Sequence, residues 1–118
     1  MAKDMIINDC ELPIMKALWD KDGMTSPELF AGIAGNKSTL KTLLARLVER
    51  GAVRAEQINQ RTYRYFAIVR RADYIRGQRK HFLDKVFDGS AEQMLLNFVQ
   101  EESISPDALR RLVELIEE

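Results

Sequence analysis

At 118 residues, 46% hydrophobic and 31% charged, the chain suits one compact domain or one small domain with an appendage, and it is apolar enough for a real core. No apolar run approaches the roughly 20 residues of a membrane span. Residues 1–7, which hold Lys3 and Asp4, lack the pattern of a signal peptide, so no direct membrane binding is expected. The lone Cys10 excludes an internal disulfide and fits a reducing compartment, which makes the cytoplasm the expected location. The formal net charge is zero, but residues 36–71 carry nine basic side chains against two acidic, and residues 87–118 carry two basic against eight acidic. A basic middle beside an acidic tail is the footprint of a local polyanion site, although charge alone also fits an ordinary solvated face.

In chain order, Asn8 and Glu11 stand at capping-box spacing, and Leu12, Met15, Leu18 and Trp19 then share one helical face. Pro13 is awkward so close to the helix start, because it removes a backbone donor. Thr25 or Ser26 caps a second, short helix with Pro27 near its first position, and Leu29, Phe30 and Ile33 form its apolar side. The third helix has the clearest pattern: Leu40, Leu43, Leu44, Leu47 and Val48 recur at helical spacing. Its opposite face carries Ser38, Thr42, Ala45, Arg46 and Glu49, flanked by Thr39 and Lys41, and Gly51 ends it. Residues 53–58 and 62–68 read as two strands joined at Asn59-Gln60-Arg61 into a hairpin.

Three further helices are expected. One spans about residues 72–87 with Gly77 as a weak point, one follows a Ser90/Gln93 capping box, and one opens at Ser105-Pro106. Short helices this rich in apolar surface bury too little to stand alone, so they must pack on the first domain or on a second chain. The fold class is therefore mainly α with a small β-hairpin. A winged helix-turn-helix domain over residues 1–70 precedes a helical dimerisation region over residues 71–118.

The third helix carries the functional reading. Hydroxyls of Ser38, Thr39 and Thr42 suit phosphate or base edges, and Lys37, Lys41 and Arg46 suit phosphates or guanine. The helix N-terminus offers free N–H groups to phosphate, and Arg61 and Arg64 on the hairpin reach toward backbone or minor groove. Double-stranded DNA is the expected partner. The alternative is a winged-helix protein-interaction module with no sequence-specific DNA binding. The expected dimer contacts are Phe82, Val86, Met94, Leu95, Phe98, Val99, Leu109, Leu112 and Ile116. His81, between Lys80 and Phe82, reads as a surface residue. No metal-ligand spacing, Gly-rich phosphate loop or catalytic triad is present, so neither cofactor nor metal nor enzyme activity is expected.

Four blocks together resemble a known family. They are the segment from Ile7 to Trp19, the run from Ser38 to Gly51, the run from Phe82 to Ser90, and Leu95-Leu96-Asn97-Phe98-Val99. In this order they are similar to the penicillinase-repressor family, the BlaI/MecI-type winged-helix repressors. The resemblance covers nearly the whole chain. It implies a homodimer on palindromic operator DNA, control of resistance genes, and base and phosphate contacts from Thr39, Lys41, Thr42 and Arg46. It also implies a membrane sensor protease as partner and cleavage at Asn97-Phe98. That pair reads equally as core packing with Asn97 facing out. Pro13, and Gly35 where the family commonly has an aromatic, depart from the pattern. The paired Cys-x-Cys motifs of the copper-responsive branch are absent, which argues against copper sensing.

Overall fold

The computed structural model describes residues 7–117, with side chains as far as residue 115. Residues 1–6, most of the segment expected to carry no signal peptide, lie outside the described residues. The chain divides into two compact units, residues 1–78 and 79–118, against an expected break after residue 70.

In the first unit, α1 (Leu12–Asp20) follows a tight turn at residues 9–11. Asn8 and Glu11 do form the reciprocal box: the Glu11 N–H donates to Asn8 Oδ1 at 3.0 Å and the Asn8 N–H to Glu11 Oε1 at 3.2 Å. It closes this turn, and the helix proper starts after it. Pro13 therefore falls in the first turn of α1, where a backbone N–H has no helical acceptor, so the expected awkwardness does not arise. Lys21 and Asp22 lead to β1 (Met24–Thr25) and α2 (Ser26–Ala31), where Thr25 and Glu28 make a complete capping box. Then come α3 (Lys37–Glu49), β2 (Val53–Asn59) and β3 (Thr62–Ala67).

The expected two-stranded hairpin is part of a three-stranded antiparallel sheet, ordered β1-β3-β2. Met24 pairs with Tyr65 and Thr25 with Arg64. A two-residue strand leaves no periodicity to read; it exists only through its partner. Across β2 and β3, Val53 opposes Ala67, Ala55 opposes Tyr65 and Gln57 opposes Tyr63 on one face. Arg54 opposes Phe66 and Glu56 opposes Arg64 on the other. A register shift between Gln57 and Asn59 leaves Ile58 without a partner and exposed near the hairpin end.

Ile7, Ile14, Met15, Leu18, Leu29, Phe30, Leu40, Leu44, Leu47, Ala52, Val53, Ala67 and Val69 make the core. Trp19 is tied to it twice: its indole N–H donates to the Val69 carbonyl at 2.8 Å, and its ring meets Tyr74 at 5.3 Å. Helix α4 (Arg71–Phe87) runs through Gly77 without a break and spans the boundary between the units. The second unit continues with α5 (Ala91–Glu101) and α6 (Pro106–Glu117), capped by Ser90 and Ser105 hydroxyls that accept from the Gln93 and Ala108 amides. None of its described side chains is buried. Phe82 meets Phe87 edge-on at 5.6 Å and stacks with Phe98 at 6.4 Å.

Candidate nucleic-acid interface

Helix α3 starts where Asn36 Oδ1 accepts the Ser38 amide at 2.7 Å. This cap satisfies one of the first-turn donors and leaves others at that end unpaired by the helix. The helix stops in a Schellman arrangement: Gly51, at φ +84°, donates to the Val48 carbonyl at 3.1 Å, and Ala52 donates to the Leu47 carbonyl at 2.9 Å. Between these ends Leu40, Leu44 and Leu47 are buried, and Leu43 and Val48 are half-buried. Lys37, Ser38, Thr39, Lys41, Thr42, Ala45, Arg46 and Glu49 are all exposed. The thirteen-residue helix thus has one face held in the core and another free for a ligand.

Thr42 donates its hydroxyl to the Ser38 carbonyl at 3.1 Å, which leaves the oxygen as an acceptor. No hydrogen bond or ion pair among the described residues engages the Lys37 or Lys41 ammonium. Arg46 lies within electrostatic reach of Glu11.

The two hairpin arginines differ. Arg61 sits in the two-residue turn, its backbone N–H held by Asn59 Oδ1 at 3.1 Å. Arg64 shares the sheet face of Arg54 and Phe66, donates to the Gly23 carbonyl at 2.8 Å and lies 3.9 Å from Glu28. That guanidinium fastens β3 to the turn before β1. Arg54, not singled out from the sequence, stacks over the Phe66 ring at 4.3 Å and pairs with Glu56 at 2.9 Å.

A second feature with no local sequence signal orients α3. The Arg50 guanidinium, at its C-terminal end, grips the Glu11 carboxylate at 2.6 Å and 2.8 Å. Glu11 is only 1% exposed. Burial alone pushes its carboxyl up; the Arg50 hydrogen bond, the Asn8 amide and the charges of Arg50 and Arg46 together bring it below its ordinary value. The partners are thirty-nine residues apart, beyond any helical or strand spacing.

Among the expected dimer contacts, Phe82, Val86, Leu95, Phe98, Val99 and Leu112 are exposed, and Met94 and Leu109 are half-buried. The Ile116 side chain lies outside the described residues. Asn97 is exposed, and the Asn97-Phe98 bond lies inside α5, with the Phe98 carbonyl accepting the Glu102 amide at 2.9 Å. His81 is exposed. Among the described residues no group of three or more His, Cys, Asp or Glu side chains could hold a metal. Nor is any helix long and apolar enough to cross a membrane.

This geometry has clear relatives. The sequence matches the penicillinase repressor family over residues 7–118. It is 27% identical to the penicillinase repressor of Bacillus licheniformis, covering 100% of this chain and 94% of that one. It is also 27% identical to the methicillin resistance regulatory protein MecI of Staphylococcus aureus strain N315, covering 90% and 89%. Among solved structures, the DNA-binding domain of the repressor BlaI matches with a TM-score of 0.51 at 26% identity, covering 58% of this chain and 87% of that one. The crystal structure of MarR matches with a TM-score of 0.50 at 19% identity over 94% of this chain and 77% of that one, a likeness of fold. The order of helices and strands, the exposed face of α3 and these matches converge: the chain is a winged-helix protein belonging to the penicillinase repressor family, a family of repressors and not of enzymes.

Proposed function

We propose that the protein is a transcriptional repressor that binds palindromic operator DNA as a homodimer. The observation that carries this reading is the outer face of α3, where hydroxyls and cations stand exposed on a helix whose inner face is locked into the core. Inserted in the major groove, Ser38, Thr39, Thr42 and Arg46 face base edges. Lys37, Lys41 and the first-turn amides face phosphates. The hairpin turn brings Arg61 to the flanking backbone or minor groove. Arg64 reaches DNA only by leaving Gly23, so its first role is to hold the hairpin.

The second copy is held through the C-terminal unit. Phe82, Val86, Met94, Leu95, Phe98, Val99, Leu109, Leu112 and Ile116 are assigned to that contact, which supplies the burial this unit lacks within one chain. A dimer makes the second half-site contact effectively intramolecular, strengthening binding by about 10²–10⁴-fold. Cleavage at Asn97-Phe98 by a membrane sensor protease would release DNA by removing that advantage, leaving α3 untouched. Because the bond is helical, α5 must open locally before a protease can take it as an extended strand. The relatives are named for penicillinase and for methicillin resistance, and we extend that class of target gene to this chain.

The test is a gel-shift titration of the double variant T42A/R46A on operator DNA. A base-edge contact discriminates by about 1–3 kcal/mol, so loss of two is expected to weaken binding at least tenfold. Unchanged affinity would remove α3 as the reading element.

A further inference from the structure

Between α2, α3 and the inner face of β2 and β3 lies a cleft of about 400 Å³. Buried Phe30 and Leu44 line its depth, and the Tyr63 and Tyr65 rings come from the sheet. Lys41, Ser26, Tyr63 and Tyr65 are its residues with polar side-chain groups, and no carboxylate is among its lining residues. The lining therefore carries one positive charge, and that ammonium has no carboxylate partner among the described residues. The sequence placed Lys41 on the flank of α3, and the strand register puts Tyr63 and Tyr65 on one face of the sheet. Only the packing of the sheet against α3 brings them to one cavity.

We infer that this cleft binds a small aromatic carboxylate. The size falls at the lower end of ligand sites, which are mostly apolar with a few placed polar groups. Three aromatic side chains favour a planar aromatic body, through offset or edge contacts. A single exposed cation at the edge of an apolar wall matches a monoanion; a phosphate dianion would leave one charge without a cation from the lining. The hydroxyls of Ser26, Tyr63 and Tyr65 are donors for the carboxylate oxygens. Burial, and then the neighbouring Tyr63, raises the Tyr65 pKa, which keeps that hydroxyl protonated. A ligand here takes the Lys41 charge from any phosphate and wedges between α3 and the hairpin, so its presence opposes DNA binding. That consequence rests on the proposed function; binding to the cleft does not.

The experiment titrates the full-length protein, without DNA, with 2-naphthoate and separately with the neutral 2-naphthamide, read by calorimetry and by amide NMR shifts. Saturable naphthoate binding is expected, with shifts centred on Lys41, Ala45, Ala55 and Tyr63. Loss of the charge-assisted contact, in naphthamide or in the variant K41M, is expected to weaken binding about tenfold. The variant Y63A is expected to weaken both compounds. Equal affinity for acid and amide would overturn the proposal, as would shifts centred on the C-terminal unit or the absence of saturation. Because DNA is left out, a failure here is separate from a failure of the α3 variants to lose operator binding.

Discussion

Glu11 shows how much one side chain can decide. Among the described residues it is the buried charged side chain, it closes the turn ahead of α1, and it receives Arg50 from the far end of α3. Replacing it by Gln is expected to destabilise the fold at neutral pH by about 2 kcal/mol, less than for a fully buried pair because water reaches the Arg50 end. The same contact sets a pH dependence. The folded carboxyl titrates below its ordinary 4.5, so its contribution is complete above that value and is lost as pH falls through the lower folded value. Urea denaturation from about pH 5 to pH 3 is expected to show a steeper loss of stability for the native protein than for E11Q. Identical slopes would mean that the Arg50 contact does not hold the Glu11 proton off. The Asn8-Glu11 spacing announced a cap, but not this pair, because no local periodicity links two residues thirty-nine positions apart.

Among the elements, α3 was the most legible and β1 the least. The leucine spacing of α3 is a direct consequence of 3.6 residues per turn, and its exposed and buried faces fall where that spacing puts them. Its end depends on Gly51, which has φ +84° and open space around the place a Cβ would take. G51A is therefore expected to destabilise through backbone strain alone, by about 1 kcal/mol in a denaturation midpoint, and G51N by less. Equal stability of all three would show that the Schellman turn adds nothing. The contrast between Arg61 and Arg64 was invisible in the sequence, since strand alternation assigns a face but not the carbonyl of Gly23 that occupies one of them.

At the scale of the whole molecule the second unit is the open end of the physics. Its helices carry Val86, Leu95, Leu96, Val99, Leu112 and Val113 exposed, with the Phe82-Phe98 stack as an aromatic contact between α4 and α5. If a second copy supplies the missing burial, folding and association are linked, and the unfolding midpoint must rise with protein concentration. Sedimentation of the variant F98D/V99D is expected to give monomers, with operator affinity falling by the avidity factor of about 10²–10⁴. A persisting dimer would move the interface elsewhere on the chain.

The amphipathic spacing, the capping residues and the turn chemistry are local properties. Sequence alone therefore determined which segments are helices, that a hairpin follows α3, and which face of α3 is polar. The third strand, the Glu11-Arg50 tie, the engagement of Arg64 and the cleft at Lys41 were decided by tertiary structure. Each needs groups from distant segments to meet, and the free energy of such a meeting depends on burial and geometry that no window of neighbouring residues contains.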